Sequence, residues 1–585
     1  MSEFQVSGSN DAAPFTLTIH RGEGMCLLAM NWRDVEGPPP EFVGFAIEYQ
    51  EPDGERYFPL TNRLTFIGAD LKDPRITSDP GITSTLRSPI QKFRWVHFPR
   101  NANKPGPFYY RVTPVFMDAD DKLSLGEAQT ALIELARETY PNELNVAFTR
   151  GFVSSQAFVD RFASAGPISD LLPATNDQGL VFKPTHPKTD EALPWMGFEA
   201  AKEILDLLDA AVADTTAQVR VIAYDLNLPA VVEKLEAIGG RLRIIIDDGD
   251  HGHSPTSSAE HQAEARLRTS AGDANVKRQH MGSLQHNKFI AVTGNVNTVV
   301  CGSTNFSWRG FYVQANNALV LKSAQAVGLF TAAFDRYWTG GVAAFGNSAS
   351  ADFQKITFTK VVPELTFSPH SDNNLALPGI VTAIEETTSS LFYSLAFLYE
   401  ARAPHRELVE AIDGVVSDPA RFVYGMSDHI VAGLDLRKPN GNLAIVSPGA
   451  LQGDLPEPFK SEPIAGGGAR MHHKFVVIDF NTNNACVYLG SHNFSRTADN
   501  KNGENLLRIR DRRIAVSYMI EALRLFDHYH FRAVLDEEQQ KGNAPSTIKL
   551  KKPPRAAGEL PWFDEYYTDP QKVQDRKLFA ALSSS

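Results

Sequence analysis

Met471-His472-His473-Lys474-Phe475-Val476-Val477-Ile478-Asp479 sets a His and a Lys two residues apart at the head of an apolar, β-branched run. Gly490-Ser491-His492-Asn493-Phe494-Ser495 follows it, and then Asn502-Gly503-Glu504-Asn505. An upstream copy reads Gln285-His286-Asn287-Lys288-Phe289-Ile290, followed by Gly302-Ser303-Thr304-Asn305-Phe306-Ser307. A repeat of this length marks a duplicated domain rather than a solenoid. Outward from each copy the texture is strand, helix, strand. Val219–Asn227 reads as a buried strand, Val231–Ile238 as an amphipathic helix and Arg243–Asp248 as a strand. Leu391–Tyr399, Glu407–Ile412 and Phe422–Gly425 repeat that order. Such alternation predicts two α/β lobes with parallel or mixed sheets.

Strand alternation puts His472, Lys474 and Val476 on one face. An ammonium beside a neutral imidazole suits phosphoryl chemistry. The Lys holds a phosphate oxygen while the His attacks phosphorus or protonates a leaving oxygen. Asn493 adds a neutral donor, and Glu504, eleven residues further on, can accept from an imidazole Nδ1 and fix its tautomer. A lone His-x-Lys is more often a surface pair than a site; the full spacing, with four residues between Lys474 and Asp479, is specific. The upstream copy keeps His286, Lys288 and Asn305 but has Thr293 in place of the Asp and Asn316 in place of the Glu. An amide accepts through its carbonyl yet cannot stabilise an imidazolium as a carboxylate does. Asp479, Ser303, Ser491 and Asn316 are read as supporting residues.

These motifs resemble the phospholipase D superfamily, over about residues 141–535. The resemblance implies two pseudo-twofold-related α-β-α lobes that meet to form one site, so that a monomer suffices. It implies a phosphohistidine intermediate, with one His as nucleophile and the other as general acid and then general base. It requires neither metal nor cofactor. By resemblance His286 is the nucleophile and His472 the acid. The residues leave this open. Glu504 serving the His of its own copy favours His472 as nucleophile, and Glu504 reaching across favours His286.

The expected organisation is multidomain: 1–140, 141–355, 356–535 and a C-terminal tail over 536–585, with Lys549-Leu550-Lys551-Lys552 as a solvated cluster. The first segment reads as an all-β sandwich, with runs Met25–Trp32, Phe42–Tyr49 and Tyr109–Phe116 between Pro- and Gly-bearing turns. Its order resembles a fibronectin type III domain, which implies positioning or partner recognition rather than chemistry.

Composition narrows the substrate. At 585 residues with 43% hydrophobic and 22% charged content, the chain reads as an ordinary globular protein. A net charge of −12 without a clustered basic stripe argues against a nucleic-acid binder and leaves a local basic cleft open. The Asn-Phe-Ser runs and Lys501–Asn505 resemble the compact bacterial nucleases of the superfamily, whereas two lobes in one acidic chain resemble bacterial phospholipases D. The narrow balance falls on phospholipid head-group hydrolysis, with nuclease as the alternative and a catalytically weak phosphate-binding protein as the third reading. Contact with a membrane surface is then expected. Cys26, Cys301 and Cys486 are too scattered for disulfides or zinc. No leader-like or membrane-spanning run is visible, so a cytoplasmic protein is expected, with export by a route that needs no signal left open. Asp247-Asp248-Gly249-Asp250-His251-Gly252-His253 looks metal-like but reads as a solvated turn, and Gly466-Gly467-Gly468 as a flexible lead-in rather than a phosphate cradle.

Overall fold

The computed structural model describes residues 4–581 except 63, 67–82, 152–157, 159–160, 163, 250–251, 402–403, 432–433, 435–437, 439–441, 447–470 and 541–548, and except the side chains of 531–540. Gly466–Gly468, Asp250 and His251 therefore lie outside the described residues. In the N-terminal region Phe15–Arg21, Cys26–Trp32 and Arg94–His97 belong to one antiparallel sheet; Phe42–Gln50 and Pro107–Met117 belong to another. Alternate side chains of both enter one aromatic core around Phe15, Trp32, Phe45 and Tyr110. The region is β-rich, as its short alternating runs require.

Among the described residues the first lobe's sheet orders its strands Leu144–Phe148, Asn317–Lys322, Thr298–Gly302, Phe289–Val292, Val219–Ala223, Leu242–Ile246, Val276–Arg278. The second begins with the short edge pair Gln354–Lys355. It continues Glu364–Ser368, Glu504–Ile509, Cys486–Gly490, Lys474–Ile478, Ser390–Leu395, Phe422–Met426, Ile445–Val446. After its edge strand the second sheet repeats the first, pairing senses included: Val219–Ala223 with Leu242–Ile246, and Ser390–Leu395 with Phe422–Met426, are both parallel. The strands on the other side of each, Phe289–Val292 and Lys474–Ile478, are antiparallel.

A helix follows the last long strand of each lobe: Ala324–Thr339, N-capped by the Ser323 hydroxyl, and Arg512–Gln540. Losing such a cap costs about 1 kcal/mol. Both helices contribute to one apolar core that also takes Phe289 and Phe367 from the sheets. Phe330 and Phe334 come from the first helix, Tyr518 and Phe526 from the second. The outer faces of the two sheets have separate cores. This explains why the strands read as continuous apolar runs, since a sheet covered on both faces has no polar side. No described helix is long and apolar enough to cross a membrane.

The C-terminal stretch is not a tail throughout. Glu565–Thr568 and Pro570–Ala580 are helical; Trp562, Phe563 and Tyr566 complete the N-terminal aromatic core, and Phe579 enters the inter-lobe core. Arg94 joins the segments, reaching Asp527 at 2.6 Å and Asp575 at 2.5 Å. Leu550, inside the Lys cluster expected to be solvated, is buried and donates its N–H to Thr65 O. The Lys and Pro content there masks the aromatic residues that follow; burying each of those rings is worth about 1.5–3 kcal/mol.

Candidate active site

Both His-x-Lys segments sit at the entrance to their strands rather than inside them. The strands start at Phe289 and Lys474, so His286 and His472 occupy the extended lead-in. The backbone there is drawn out of its own sheet by the other lobe. His472 N donates to Ala315 O at 3.0 Å, and Gly503 N donates to Leu284 O at 2.8 Å. At Gly503 an added Cβ would lie 2.1 Å from Gln285 Oε1, so the Gln285 side chain would have to move.

The side chains then cross. His286 Nδ1–H donates to Glu504 at 2.8 Å, while His472 Nδ1–H donates to Asn316 Oδ1 at 2.9 Å. The next residues cross as well: Asn505 Nδ2 donates to Asn287 Oδ1 at 3.0 Å, and Asn317 Nδ2 lies 3.5 Å from His473 Nδ1. Each lobe's motif is therefore completed by the other lobe. With both Nδ1 atoms engaged, the Nε2 atoms are the remaining ring nitrogens, and the two rings stand 6.4 Å apart between centroids.

The amide of Asn316 is oriented on three sides. Its Nδ2 donates to Gly310 O at 3.0 Å, and its Oδ1 also accepts from Ser303 Oγ at 2.9 Å. Ser491 accepts from Asn505 N at 3.0 Å, so both motif serines brace the crossing strands rather than the reaction centre. The glycine before each serine is fixed by the same packing: a Cβ at Gly302 would meet Asn317 O at 2.6 Å, and one at Gly490 would meet Asn505 O at 2.3 Å. Asp479 takes the N–H groups of Thr388, Ser389 and Ser390, pinning the start of the adjacent strand. Thr293 does the same job weakly, accepting from Gln218 N at 2.9 Å.

Lys288 Nζ lies over the Tyr224 ring at 4.6 Å, and Lys474 Nζ over Phe397 at 5.2 Å. Lys474 also lies 3.1 Å from His472 Nε2. Burial pushes Lys288 down to about 7 against the pull of Glu504, and pushes Lys474 well down, with Lys288 adding to the shift. Burial takes His286 down to about 4 although Glu504 opposes it. Burial and the neighbouring lysines hold His472 well below its ordinary value. Burial raises Glu504, but His286 and Lys288 outweigh it and leave the carboxyl below its usual range. The site thus suits an anion, whose charge favours the protonated forms of the lysines and of His472.

Asn305 and Asn493 each keep a buried side-chain oxygen without a partner. Asn305 Nδ2 donates to Asp225 Oδ2 at 2.6 Å. The motif spacing does not single out Asp225. It follows the Val219–Ala223 strand, and that position is its one visible signal. Asp225 Oδ1 contacts His253 Nε2 at 3.1 Å, and His253 Nδ1 contacts Asp247 at 2.8 Å. The turn expected to be solvated is therefore built inward here: Asp247 and His253 are buried. Burial alone would lower His253, but its two carboxylate partners raise it to about 10, so it stands as an imidazolium. Asp225, His253 and Glu260 bring potential ligand atoms within 4.8 Å of one another, yet both His253 nitrogens are already satisfied by carboxylates.

A model of the cardiolipin synthase PLD-like domain matches residues 204–338 and 456–525, which include both His-x-Lys copies. No curated protein matches the chain. Among solved structures, phosphatidylserine synthase from Haemophilus influenzae Rd KW20 is similar at 13% identity over 60% of this chain and 93% of its own, with a TM-score of 0.41. Polyphosphate kinase from Porphyromonas gingivalis is similar at 11% identity over 64% of this chain, with a TM-score of 0.36; this chain spans 53% of that kinase. Nuc from Salmonella typhimurium, a phospholipase D family member, is 22% identical over 24% of this chain and 88% of its own, with a TM-score of 0.20. The chain carries a phospholipase D-like domain built from its two His-x-Lys segments.

Proposed function

We propose that the protein is a metal-independent phosphodiesterase in which the two lobes, related by a pseudo-twofold axis, supply one active site. The observation that carries this is the crossed pair: two imidazoles 6.4 Å apart, each tautomer fixed from the other lobe, with a lysine beside each. His286 Nε2 attacks phosphorus, and the bond from phosphorus to the leaving alkoxide breaks as His472 gives that oxygen its proton. His472 then takes a proton from water. The water oxygen bonds to phosphorus, the P–N bond breaks, and a phosphomonoester leaves. Glu504 stabilises the positive charge that grows on His286. Lys288, Lys474, Asn305 and Asn493 hold the non-bridging oxygens, the duty that metal ions perform in other phosphodiesterases.

For the substrate we take phospholipid head groups, hydrolysed to phosphatidic acid and alcohol. The acidic chain and the cardiolipin synthase family model support that reading. One observation favours nucleic acid instead. Phe397 and Tyr399 are half-buried aromatic rings on the His472 side, and such rings stack bases. The test is hydrolysis of bis-p-nitrophenyl phosphate in EDTA, with acid-labile phosphorus trapped and located by peptide mass spectrometry. Phosphate on His286 is the expected result; strict dependence of the chemical step on added divalent ion sinks the mechanism. Phosphatidylcholine vesicles and single-stranded and duplex DNA, assayed side by side, decide the substrate.

A further inference from the structure

The two lobes place opposite chemistries at matching positions beside the paired motif residues. Ile222 pairs with Phe289 and Ser394 with Phe475, and three residues beyond each stand Asp225 and Phe397. Phe397 offers Lys474 a ring face. Asp225 offers the Asn305 amide a carboxylate at 2.6 Å. A carboxylate is an unexpected neighbour for a group meant to grip an anion. It is also held firmly, because His253 ties it to Asp247, and Asp247 Oδ1 accepts from Gln285 N at 2.6 Å just before His286. One imidazolium between two carboxylates leaves a net negative charge at that wall.

An amide nitrogen donating one hydrogen to Asp225 has its second directed about 120° away. A phosphate oxygen accepting that second hydrogen lies about 5 Å from the carboxylate. At that separation the interaction with a unit charge is large even with solvent screening. A diester carries one negative charge, whereas a monoester carries nearly two above its second ionisation near pH 6.

We propose that Asp225, held by His253, sets the charge selectivity of this site, admitting monoanionic phosphodiesters and disfavouring dianionic phosphomonoesters. The inference rests on the phosphodiesterase reading above and deepens it: the substrate is a diester, the product is a monoester, and the same carboxylate hastens departure of the product as it loses its second proton. Asp225 acts on the phosphate's charge. Its hydrogen bond to Asn305 fixes where that charge sits.

The test is direct binding, independent of turnover. Dissociation constants for phenyl phosphate and diphenyl phosphate are measured by calorimetry at pH 8 in EDTA, in a His286→Ala background that does not turn the diester over, with Asp225 and His253 intact, with Asp225→Asn and with His253→Gln. Asp225→Asn keeps an oxygen to accept from Asn305 and removes the charge. It is expected to improve phenyl phosphate binding about tenfold relative to diphenyl phosphate. His253→Gln removes the compensating positive charge and is expected to move the ratio in the opposite direction. A merely structural role would weaken both probes together in both variants, and that result overturns the proposal. So does a ratio unchanged within about twofold. If Asp225→Asn does not fold, the direction of the His253→Gln shift decides alone. Wild-type protein that binds both probes yet leaves bis-p-nitrophenyl phosphate intact refutes the phosphodiesterase reading and leaves the selectivity measurement standing.

Discussion

The two lobes carry the same motif in different states of repair, and the structure reverses which histidine benefits. In sequence the downstream copy is complete and the upstream copy has Thr293 and Asn316 where an Asp and a Glu would stand. In space the downstream carboxylate, Glu504, belongs to the upstream His286, and the upstream amide, Asn316, belongs to the downstream His472. The intact copy therefore equips the degenerate one. Motif positions divide by where they point. Asp479 and Thr293 face their own lobe, binding the loop before a neighbouring strand, and a hydroxyl does a reduced version of the carboxylate's work. Glu504 and Asn316 face across, so the difference between them becomes a difference between two imidazoles: one beside an anion, one beside a neutral acceptor. A nucleophile that gains positive charge suits the first, and an acid that must release a proton suits the second.

The harshest way to break this comparison is to delete each histidine. His286→Ala is expected to lower kcat by about 10⁴-fold or more on any diester, since no nucleophile remains. His472→Ala is expected to cost about 10²–10⁴-fold on an alkyl leaving group. On bis-p-nitrophenyl phosphate, whose leaving group needs no proton, the first-turnover burst of p-nitrophenol should be nearly spared, while steady turnover stays slow because His472 also activates the water. Equal losses of the first-turnover rate on both substrates for His472→Ala, or a leaving-group dependence of that rate seen only for His286→Ala, would reverse the roles. Next come the partners. Glu504→Gln is expected to lower kcat by up to about 10⁴-fold, by analogy with removing the carboxylate that supports a catalytic imidazole. Asn316→Ala should cost about tenfold. Glu504→Gln being the milder of the two would refute the assignment of the growing charge to His286.

Much of this site is legible in the amino-acid sequence. The spacing of His, Lys, Gly-Ser and Asn announces a duplicated phosphoryl site, and the apolar runs announce strands covered on both faces. What the spacing does not encode is which lobe a side chain faces. Glu504 opens a strand of its own lobe, and the packing of Gly503 against Gln285 together with its N–H bond to Leu284 O directs it across. Asp225 is hidden for a different reason: a single carboxylate after a strand has no pattern, and its partners His253 and Asp247 lie in a turn whose polar residues read as solvated. The C-terminal aromatics escape notice because Lys- and Pro-rich sequence precedes them, while partners such as Phe42 lie more than five hundred residues upstream, as in the Trp562 Nε1 bond to Phe42 O at 3.0 Å.

A smaller and sharper effect is the pH profile of kcat/KM, which reports the free enzyme. His286 must be neutral to attack, and its value near 4 places the acid limb there. Lys288 must be charged to bind, and burial has brought it to about 7, so it adds a fall in kcat/KM as pH rises through that value, above the fall set by the His472 proton. Glu504 raises both groups, so Glu504→Gln should move both limbs to lower pH. The bound diester adds negative charge, which raises Lys288. The basic limb of kcat should therefore lie above that of kcat/KM. Coincident basic limbs would mean that Lys288 does not face the phosphate.

The gentlest change gives the upstream copy the carboxylate it lacks. Asn316→Asp keeps an acceptor for His472 Nδ1–H and for Ser303 Oγ and loses only the donor to Gly310 O. The new charge raises His472, now held low by burial and the two lysines. The proton needed for the leaving group is then held more tightly, which lowers its driving force, while a larger fraction of the ring carries it. The two effects oppose each other, so kcat at pH 7 should change by no more than about threefold. The limb of kcat that follows the His472 proton, distinct from the Lys288 limb, should move up by about one unit, the shift expected from a nearby opposite charge. A hundredfold loss at unchanged stability would show that His472 requires the neutral amide, making the asymmetry between the lobes a condition of catalysis. A rise in kcat at high pH with little change at pH 7 would show that the upstream copy tolerates the full motif and that Glu504 alone decides which histidine is the nucleophile.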